Sequence, residues 1–144
     1  MDIIERSSKL VDKLIVAVLI NPNKDKSLFS TEERMDMLYQ TTQHISNIEV
    51  DSFSGLLVDY AKYKQANMII RGLRAVTDLE HEMQMAQINK NILPQVETIF
   101  LVTSAQYSFL SSSAVRELAL FHGDFYNLVP HHVVEQLKYK FQFQ

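Results

Sequence analysis

The chain has 144 residues, of which 47% are hydrophobic and 22% are charged, and these values are typical of one soluble globular domain with its own core. Its 14 Lys and Arg and 17 Asp and Glu give a net charge of −3, so no excess of positive charge is present to attract nucleic acid. The chain has no Cys and only three Gly, none arranged as Gly-x-Gly, which excludes thiol chemistry, a Walker loop and a dinucleotide fingerprint.

No segment of the sequence predicts a membrane anchor. The longest apolar run, residues 14–20, is far shorter than the roughly 20 residues of a membrane-spanning helix. The first residues also lack the pattern of a signal peptide. We therefore predict a cytoplasmic protein with neither a membrane partner nor a nucleic-acid partner.

The chain alternates between segments of helical periodicity and short apolar segments. The run 14–20 is continuous and β-branched, which favours a parallel strand buried on both faces. Capping-box patterns at Ser30-Thr-Glu-Glu33 and Thr77-x-x-Glu80 predict two helix starts. In chain order we predict a helix over 2–12, a strand over 14–20, a helix from 30 to about 44, a strand over 48–53, a helix over 56–65, a strand over 67–71, a helix that opens near 77 and that Pro94 terminates, a strand over 98–102, and helices over 111–121 and 130–140.

This order predicts a single α/β domain over residues 1–144, with a parallel sheet flanked by helices. No repeat, low-complexity tract or internal linker interrupts it. Such domains usually begin with a strand, whereas this chain begins inside a helix. We therefore expect the first strand of the fold to be missing from these residues.

Ligands of open parallel sheets bind beyond the carboxyl ends of the strands, so the polar residues that follow each strand are the first candidates for a site. After the first strand, Lys24 could place an ammonium over this edge, although such a loop is more often simply solvated. After the fourth strand, Ser111, Ser112 and Ser113 open a predicted helix, whose free amides and dipole favour an anion. Ordinary capping would require only one of these serines.

Two arginines follow the third strand. Arg71 and Arg74 flank Gly72, which permits close approach of the backbone, and guanidinium groups match phosphate geometrically. Structural ion pairs to Asp78, Glu80 or Glu82 are an equally good interpretation.

Other polar residues give weaker signals. Glu82 and Asn89 lie on one face of the following helix and could accept hydrogen bonds from a ribose or a base, although an exposed acidic face is the commoner meaning. The five histidines have no metal-pair spacing, and we predict no metal-ligating residues.

Five motifs, in this order and at these separations, resemble the bacterial phosphopantetheine adenylyltransferase family from Asp2 to the C-terminus. They are Asn21-Pro-Asn-Lys24, Thr31-Glu-Glu-Arg34, Phe53-Ser-Gly-Leu-Leu57, Ile70-Arg-Gly-Leu-Arg-Ala-Val76 and Tyr107-Ser-Phe-Leu-Ser-Ser-Ser113. The resemblance implies a Rossmann-like nucleotidyltransferase fold. It also implies transfer of AMP from ATP to 4′-phosphopantetheine with Mg²⁺, giving dephospho-coenzyme A and pyrophosphate. Dephospho-coenzyme A or coenzyme A would bind as product or feedback ligand, and the protein would be a homo-oligomer, usually a hexamer.

The resemblance also implies roles for individual residues. Lys24, or Lys26 in its place, would contact the phosphate of phosphopantetheine, and Leu57 and Arg71 would bind the same substrate. Lys24 and Arg74 would be the catalytic cations, since an ionised phosphate nucleophile needs charge neutralisation and alignment rather than a general base. ATP would be held by Gly72, Leu73, Arg74, Glu82, Tyr107, Ser108, Phe109, Leu110, Ser111, Ser112 and Ser113.

One part of the family's pattern has no counterpart in these residues. The family opens with a strand and a Thr-x-Gly-His motif, both of which would lie before Met1, and the histidine of that motif stabilises the transferring phosphate. The resemblance therefore predicts that the 144-residue chain is inactive or impaired. A non-catalytic nucleotide-binding remnant, and a related nucleotidyltransferase with another phosphorylated acceptor, are the alternative interpretations.

Overall fold

Residues 1–20 and 27–142 are described from a computed structural model, in which helices and parallel strands alternate in the predicted order. None of the described helices is long and apolar enough to cross a bilayer. The strands are β1 (Leu14–Ile20), β2 (Ile48–Ser54), β3 (Met68–Leu73) and β4 (Glu97–Val102); the helices are α1 (Asp2–Ser8), α2 (Thr31–Thr42), α3 (Leu57–Tyr63), α4 (Val76–Ile92), α5 (Ser112–Leu120) and α6 (His131–Lys140), and a 3₁₀ turn, Ala105–Tyr107, precedes α5.

The first predicted capping box is confirmed, and the second is wrong. The Ser30 hydroxyl accepts from the Glu33 amide at 3.2 Å, and the Glu33 carboxylate accepts from the Ser30 amide at 2.7 Å. Helix α4 instead begins at Val76, with Ala75 as its N-cap and no side-chain cap. Since Ala75 is the N-cap, Thr77 is already the second residue of the helix and does not occupy the cap position that a capping box requires.

Helix α1 ends at Ser8 rather than at residue 12. The side-chain amide of Asn47 donates to the carbonyl oxygen of Ser8 at 2.8 Å and to that of Val11 at 3.0 Å. These bonds hold the connection between α1 and β1 against the start of β2, so the helical pattern of the sequence does not continue through it.

The strands form two parallel ladders. Strands β1 and β2 pair from Leu14 opposite Ile48 to Ile20 opposite Ser54, and strands β3 and β4 pair from Met68 opposite Glu97 to Leu73 opposite Val102. Among the described residues, no hydrogen-bonded ladder joins β1 to β3. The parallel arrangement flanked by helices is confirmed, and the strands lie in two pairs.

Strand β1 is less buried than its composition predicts. Only Val18 is buried, at 3% exposure, whereas Leu19 and Ile20 are 45% and 39% exposed. The prediction that β1 is buried on both faces is therefore wrong for the described residues. The physical reason is the unpaired edge of β1, which leaves the carboxyl-terminal half of the strand open to solvent.

Two separate apolar clusters form the core. The first joins α3, β3 and the connection from α4 to β4, and the second joins α5 to α6 around the fully buried Phe125. The first contains Val58, Ala61, Ile69, Leu93 and Val96, and the second contains Val115, Ala119, Phe125, Val134 and Leu137.

The amino end of α1 lies at the carboxyl ends of β3 and β4. The Asp2 carboxylate accepts from the backbone amide of Ser104 at 2.8 Å and from its hydroxyl at 2.9 Å, and these bonds lower the pKa of Asp2. A Cβ atom on Gly72 would lie 3.0 Å from Cγ1 of Ile3, so α1 packs closely where β3 has no side chain. The glycine therefore permits a close approach, as predicted, and the approaching group is a helix.

A charged network joins α3 to β2. The Lys64 ammonium lies 2.7 Å from Glu49 and 2.6 Å from Asp51, and the Tyr60 hydroxyl donates to Asp51 at 2.8 Å. Hydrogen bonds from Lys64, Tyr60 and the Ser52 amide lower the pKa of Asp51 from 3.8 to about 2.

We expect Asp51→Asn to destabilise the fold at neutral pH, with a loss that shrinks in acid. Since the folded pKa of Asp51 is depressed, its ionised form contributes stability above pH 3.8, and this contribution is lost as the pH falls towards 2. Chemical denaturation of parent and variant across this range measures the difference. Asp59→Asn, which changes an exposed carboxylate on α3, is the control. A difference independent of pH would contradict the assignment.

Candidate active site

A cavity of about 650 Å³ lies beside the amino end of α5. It is lined by arginines, serines and apolar side chains, and no described Asp or Glu lines it. The lining residues are Ser27, Leu28, Phe29, Arg34, Arg74, Leu110, Ser111, Ser112, Ser113, Val115, Arg116, Leu128, Val129, Val133 and Leu137. Several of its apolar residues belong to the cluster between α5 and α6, so the wall of the cavity is part of the core.

The amino end of α5 supplies donors to this cavity. The Ser111 hydroxyl accepts from the Ala114 amide at 3.0 Å and so caps the helix, as one serine was predicted to do. Ser112 and Ser113 occupy the first turn, line the cavity and are exposed. Their backbone amides are at the positive end of the helix dipole, so this turn can bind an anion.

The two arginines after β3 are held differently. Arg71 donates from Nε and Nη2 to the two carboxylate oxygens of Glu82, at 2.7 and 2.5 Å, which lowers the pKa of Glu82. Arg74 lies 3.4 Å from Asp78 and donates from Nη1 to the carbonyl oxygen of Leu110 at 2.9 Å. Of the three acids that the sequence left open, Asp78 and Glu82 are therefore paired with these arginines, and of the two arginines only Arg74 also lines the cavity.

The bond from Arg74 to Leu110 holds the loop that leads into α5. The loop contains Tyr107 and Phe109, whose side chains are 41% and 68% exposed. It reaches the cavity through Leu110 and the three serines that follow. Arg74 thus holds the turn formed by Ser111, Ser112 and Ser113, which we call the serine turn, and lies beside it. Its Nη2 atom has no partner among the described residues.

The remaining predicted residues lie outside the lining of the cavity. Leu57 begins α3 and packs against the first apolar cluster. Gly72 is covered by Ile3, and Leu73 is buried at 8% exposure. Lys24 and Lys26 lie outside the described residues. Also absent from the lining are Arg71, Glu82, Tyr107, Ser108 and Phe109, whose substrate contacts stay predictions.

Sequence reasoning gave no role to two arginines that line the cavity. Arg34 lies in the first turn of α2, four residues after its N-cap Ser30, and Arg116 lies one turn after Ser112 on α5. Their spacing from the two helix starts was the available signal, because residues one helical turn apart share a face.

Parallel strands flanked by helices, with a basic cavity at a helix amino end, define an α/β domain that can bind an anionic ligand. The sequence model of the cytidylyltransferase-like family matches residues 1–118, which include all four described strands and the serine turn.

Three similar proteins narrow this class, and each bears the name phosphopantetheine adenylyltransferase. That of Carboxydothermus hydrogenoformans is 56% identical over 142 residues, which cover 99% of this chain and 87% of the relative. That of Nostoc punctiforme is 53% identical over 92% of this chain and 72% of the relative, and that of Clostridium botulinum is 49% identical over 97% and 85%. The chain belongs to the phosphopantetheine adenylyltransferase family, as its motifs predicted.

We expect Ser111→Ala to lower the free energy of unfolding by about 1 kcal/mol, because it removes the cap of α5. Ser112→Ala is the matched control, since its exposed hydroxyl makes no described hydrogen bond, and its effect should stay within about 0.5 kcal/mol. Urea denaturation measures both. Equal losses would show that the serine turn is held by more than the Ser111 cap.

Proposed function

We propose that the chain is an adenylyltransferase of coenzyme A biosynthesis, which transfers the adenylyl group of ATP to 4′-phosphopantetheine and releases pyrophosphate. The observation that carries this proposal is the cavity in which Arg74 and the amino end of α5 lie together without a described carboxylate. Membership of the family supports the choice of substrates.

The reaction requires alignment and charge neutralisation. A phosphate oxygen of 4′-phosphopantetheine attacks the α-phosphorus of ATP, and the bond from this phosphorus to the oxygen of the β-phosphate breaks. Because the nucleophile is already ionised, no general base is needed. Arg74 and the amides of Ser112 and Ser113 neutralise charge on the phosphates of ATP, in an arrangement held in place before the substrate binds.

Phosphopantetheine is assigned to Lys24, Leu57 and Arg71. The paired bonds from Arg71 to Glu82 fix the plane of the guanidinium, and its Nη1 atom has no partner among the described residues. That atom remains for an oxygen of the substrate. Glu82 then acts on this substrate through Arg71, in addition to the ATP contact that the family's pattern gives it.

Mg²⁺ completes the proposed reaction. Within the described residues no group of three His, Asp or Glu side chains could hold a metal ion, and none of the described residues that line the cavity is acidic. Mg²⁺ prefers phosphate oxygens and water to an all-protein cage, so it would enter on ATP itself. There it would neutralise charge on the phosphates.

We further propose a cytoplasmic homo-oligomer of the family's hexameric type, with dephospho-coenzyme A or coenzyme A as product or feedback ligand. Large apolar side chains are exposed on the last two helices and after α5, including Leu120 at 55%, Phe121 at 74% and Tyr139 at 79%. Contact with further copies of the chain would cover such side chains.

Pyrophosphate release from ATP, 4′-phosphopantetheine and Mg²⁺ tests the proposed activity. We expect the 144 residues alone to be inactive, and the same residues preceded by a strand and a Thr-x-Gly-His segment to be active. The added strand would pair with the open edges of β1 and β3. The histidine would donate a hydrogen bond to the transferring phosphate, and loss of one such donor lowers the rate by roughly 10²–10³-fold. Comparable activity in both would refute the role of the histidine.

Inactivity of both chains would refute the adenylyltransferase assignment. The outcome then separates the alternatives. Binding of ATP without turnover would support a non-catalytic remnant, and turnover with a different phosphorylated acceptor would support a related nucleotidyltransferase.

We expect Arg74→Ala, in the extended chain, to lower kcat/KM for ATP by on the order of 10²-fold. The denaturation midpoint should change little, because the Arg74 side chain is 44% exposed and its ion pair to Asp78 is a surface contact. Arg74→Lys should not restore activity, since one ammonium cannot replace the planar guanidinium. Asp78→Asn is the control for the ion pair alone. Parallel losses of stability and activity would make Arg74 structural.

A further inference from the structure

The cations around the cavity differ in whether the protein already neutralises them. Arg74 has a carboxylate neighbour, Asp78, and a carbonyl partner, Leu110. Arg34 and Arg116 line the same cavity, and neither forms an ion pair or a side-chain hydrogen bond with any residue in 1–20 or 27–142. Two guanidinium groups without a counter-charge among the described residues favour the binding of an anion in this cavity.

Arg34 is also half-buried, which makes its unpaired charge more costly than that of a solvated arginine. The acid next to it in sequence is already occupied. The Glu33 carboxylate accepts from the Ser30 amide at 2.7 Å and lies 2.7 Å from the Lys140 ammonium, and these contacts lower the pKa of Glu33. The capping box and Lys140 therefore occupy the carboxylate next to Arg34 in sequence, and the Arg34 guanidinium has no acidic partner among the described residues.

Arg34 and Arg116 belong to different helices from Arg74. Arg34 lies on α2, Arg116 lies one turn into α5 beyond the serine turn, and Arg74 follows β3. The cavity thus collects three guanidinium groups from three parts of the chain. A single phosphate does not require so many cations, whereas the triphosphate of ATP presents several charged oxygens along its length.

We propose that Arg34, assisted by Arg116, binds the β- and γ-phosphates of ATP and stabilises them as they leave as pyrophosphate. This inference rests on the proposed adenylyl transfer. Both arginines line the same cavity as Arg74 and the amino end of α5, so they add positive charge to the proposed triphosphate site. Negative charge increases on pyrophosphate as its bond to the α-phosphorus breaks, and guanidinium groups already in place stabilise that charge.

Binding measurements with separate fragments of ATP test this role. The proteins are the extended chain and its Arg34→Ala, Arg34→Lys, Arg116→Ala and Lys138→Ala variants, and the ligands are ATP, pyrophosphate and AMP in titration calorimetry. We expect Arg34→Ala to weaken ATP and pyrophosphate binding by about tenfold or more, and AMP binding by less than about twofold. Arg116→Ala should have a smaller effect in the same direction, and Arg34→Lys should restore binding only in part.

Lys138→Ala is the matched control for loss of one positive charge. Lys138 is paired with Glu135 at 3.0 Å on α6 and does not line the cavity, so its removal should leave all three ligands unaffected. Unchanged pyrophosphate binding in Arg34→Ala, with turnover retained, would refute this inference and leave the proposed function intact. Equal weakening of AMP and pyrophosphate, or a fall in denaturation midpoint that accounts for the loss, would also refute it. Failure of the unsubstituted protein to bind either ATP or pyrophosphate would refute the proposed function itself.

Discussion

The parallel register of β3 and β4 is the constraint on which the site depends. It places Leu73 opposite Val102, so the segments that contain Arg74 and the serine turn leave the sheet at the same edge. The ladder continues for one more bond, from the Thr103 amide to the carbonyl of Leu73 at 2.9 Å. The Arg74 guanidinium then donates to the carbonyl oxygen of Leu110, and this hydrogen bond closes the loop that leads into α5. Slippage of this register by one residue would move Arg74 away from the loop.

In the part of the chain that the structure describes, β1 and β3 each pair with a strand on one side only, and this explains the distribution of the core. Parallel strands are normally buried between neighbours, yet Leu19, Ile20 and Met68 are each more than a third exposed. Each ladder relies on the helices beside it, with α2 against the first and α4 against the second. Buried side chains therefore collect in two clusters, one beside β3 and one between α5 and α6, instead of in one continuous layer beneath a sheet.

Local sequence predicted several features whose causes lie within a few residues, although it misplaced the start of α4. The capping box at Ser30 and the cap at Ser111 involve partners three residues away, and both form. The end of α1 could not be predicted in this way, because it depends on Asn47, which lies 39 residues from Ser8. The burial of β1 was mispredicted because an apolar run shows which residues can be buried, whereas a neighbouring strand decides whether they are.

The same distinction between local and distant causes applies to the site. The sequence predicted contacts for the loop before α5 and for both arginines after β3, and it left open whether those arginines pair with acids. Of these residues, Arg74 and residues 110–113 line the cavity. The position of Arg34 near a helix start was visible in the sequence. The pairing of its neighbour Glu33 was not, because Glu33 is held by Lys140, more than a hundred positions away. Asp78, Glu82 and Glu33 are each held by a cation of the chain, and none of them lines the cavity. A protein with a net charge of −3 thereby presents a local surplus of positive charge, because its acids near the site are held by other residues. The affinity of such a site for a polyanion depends on which of its cations lack a carboxylate partner, and within residues 1–20 and 27–142 Arg34 and Arg116 have none.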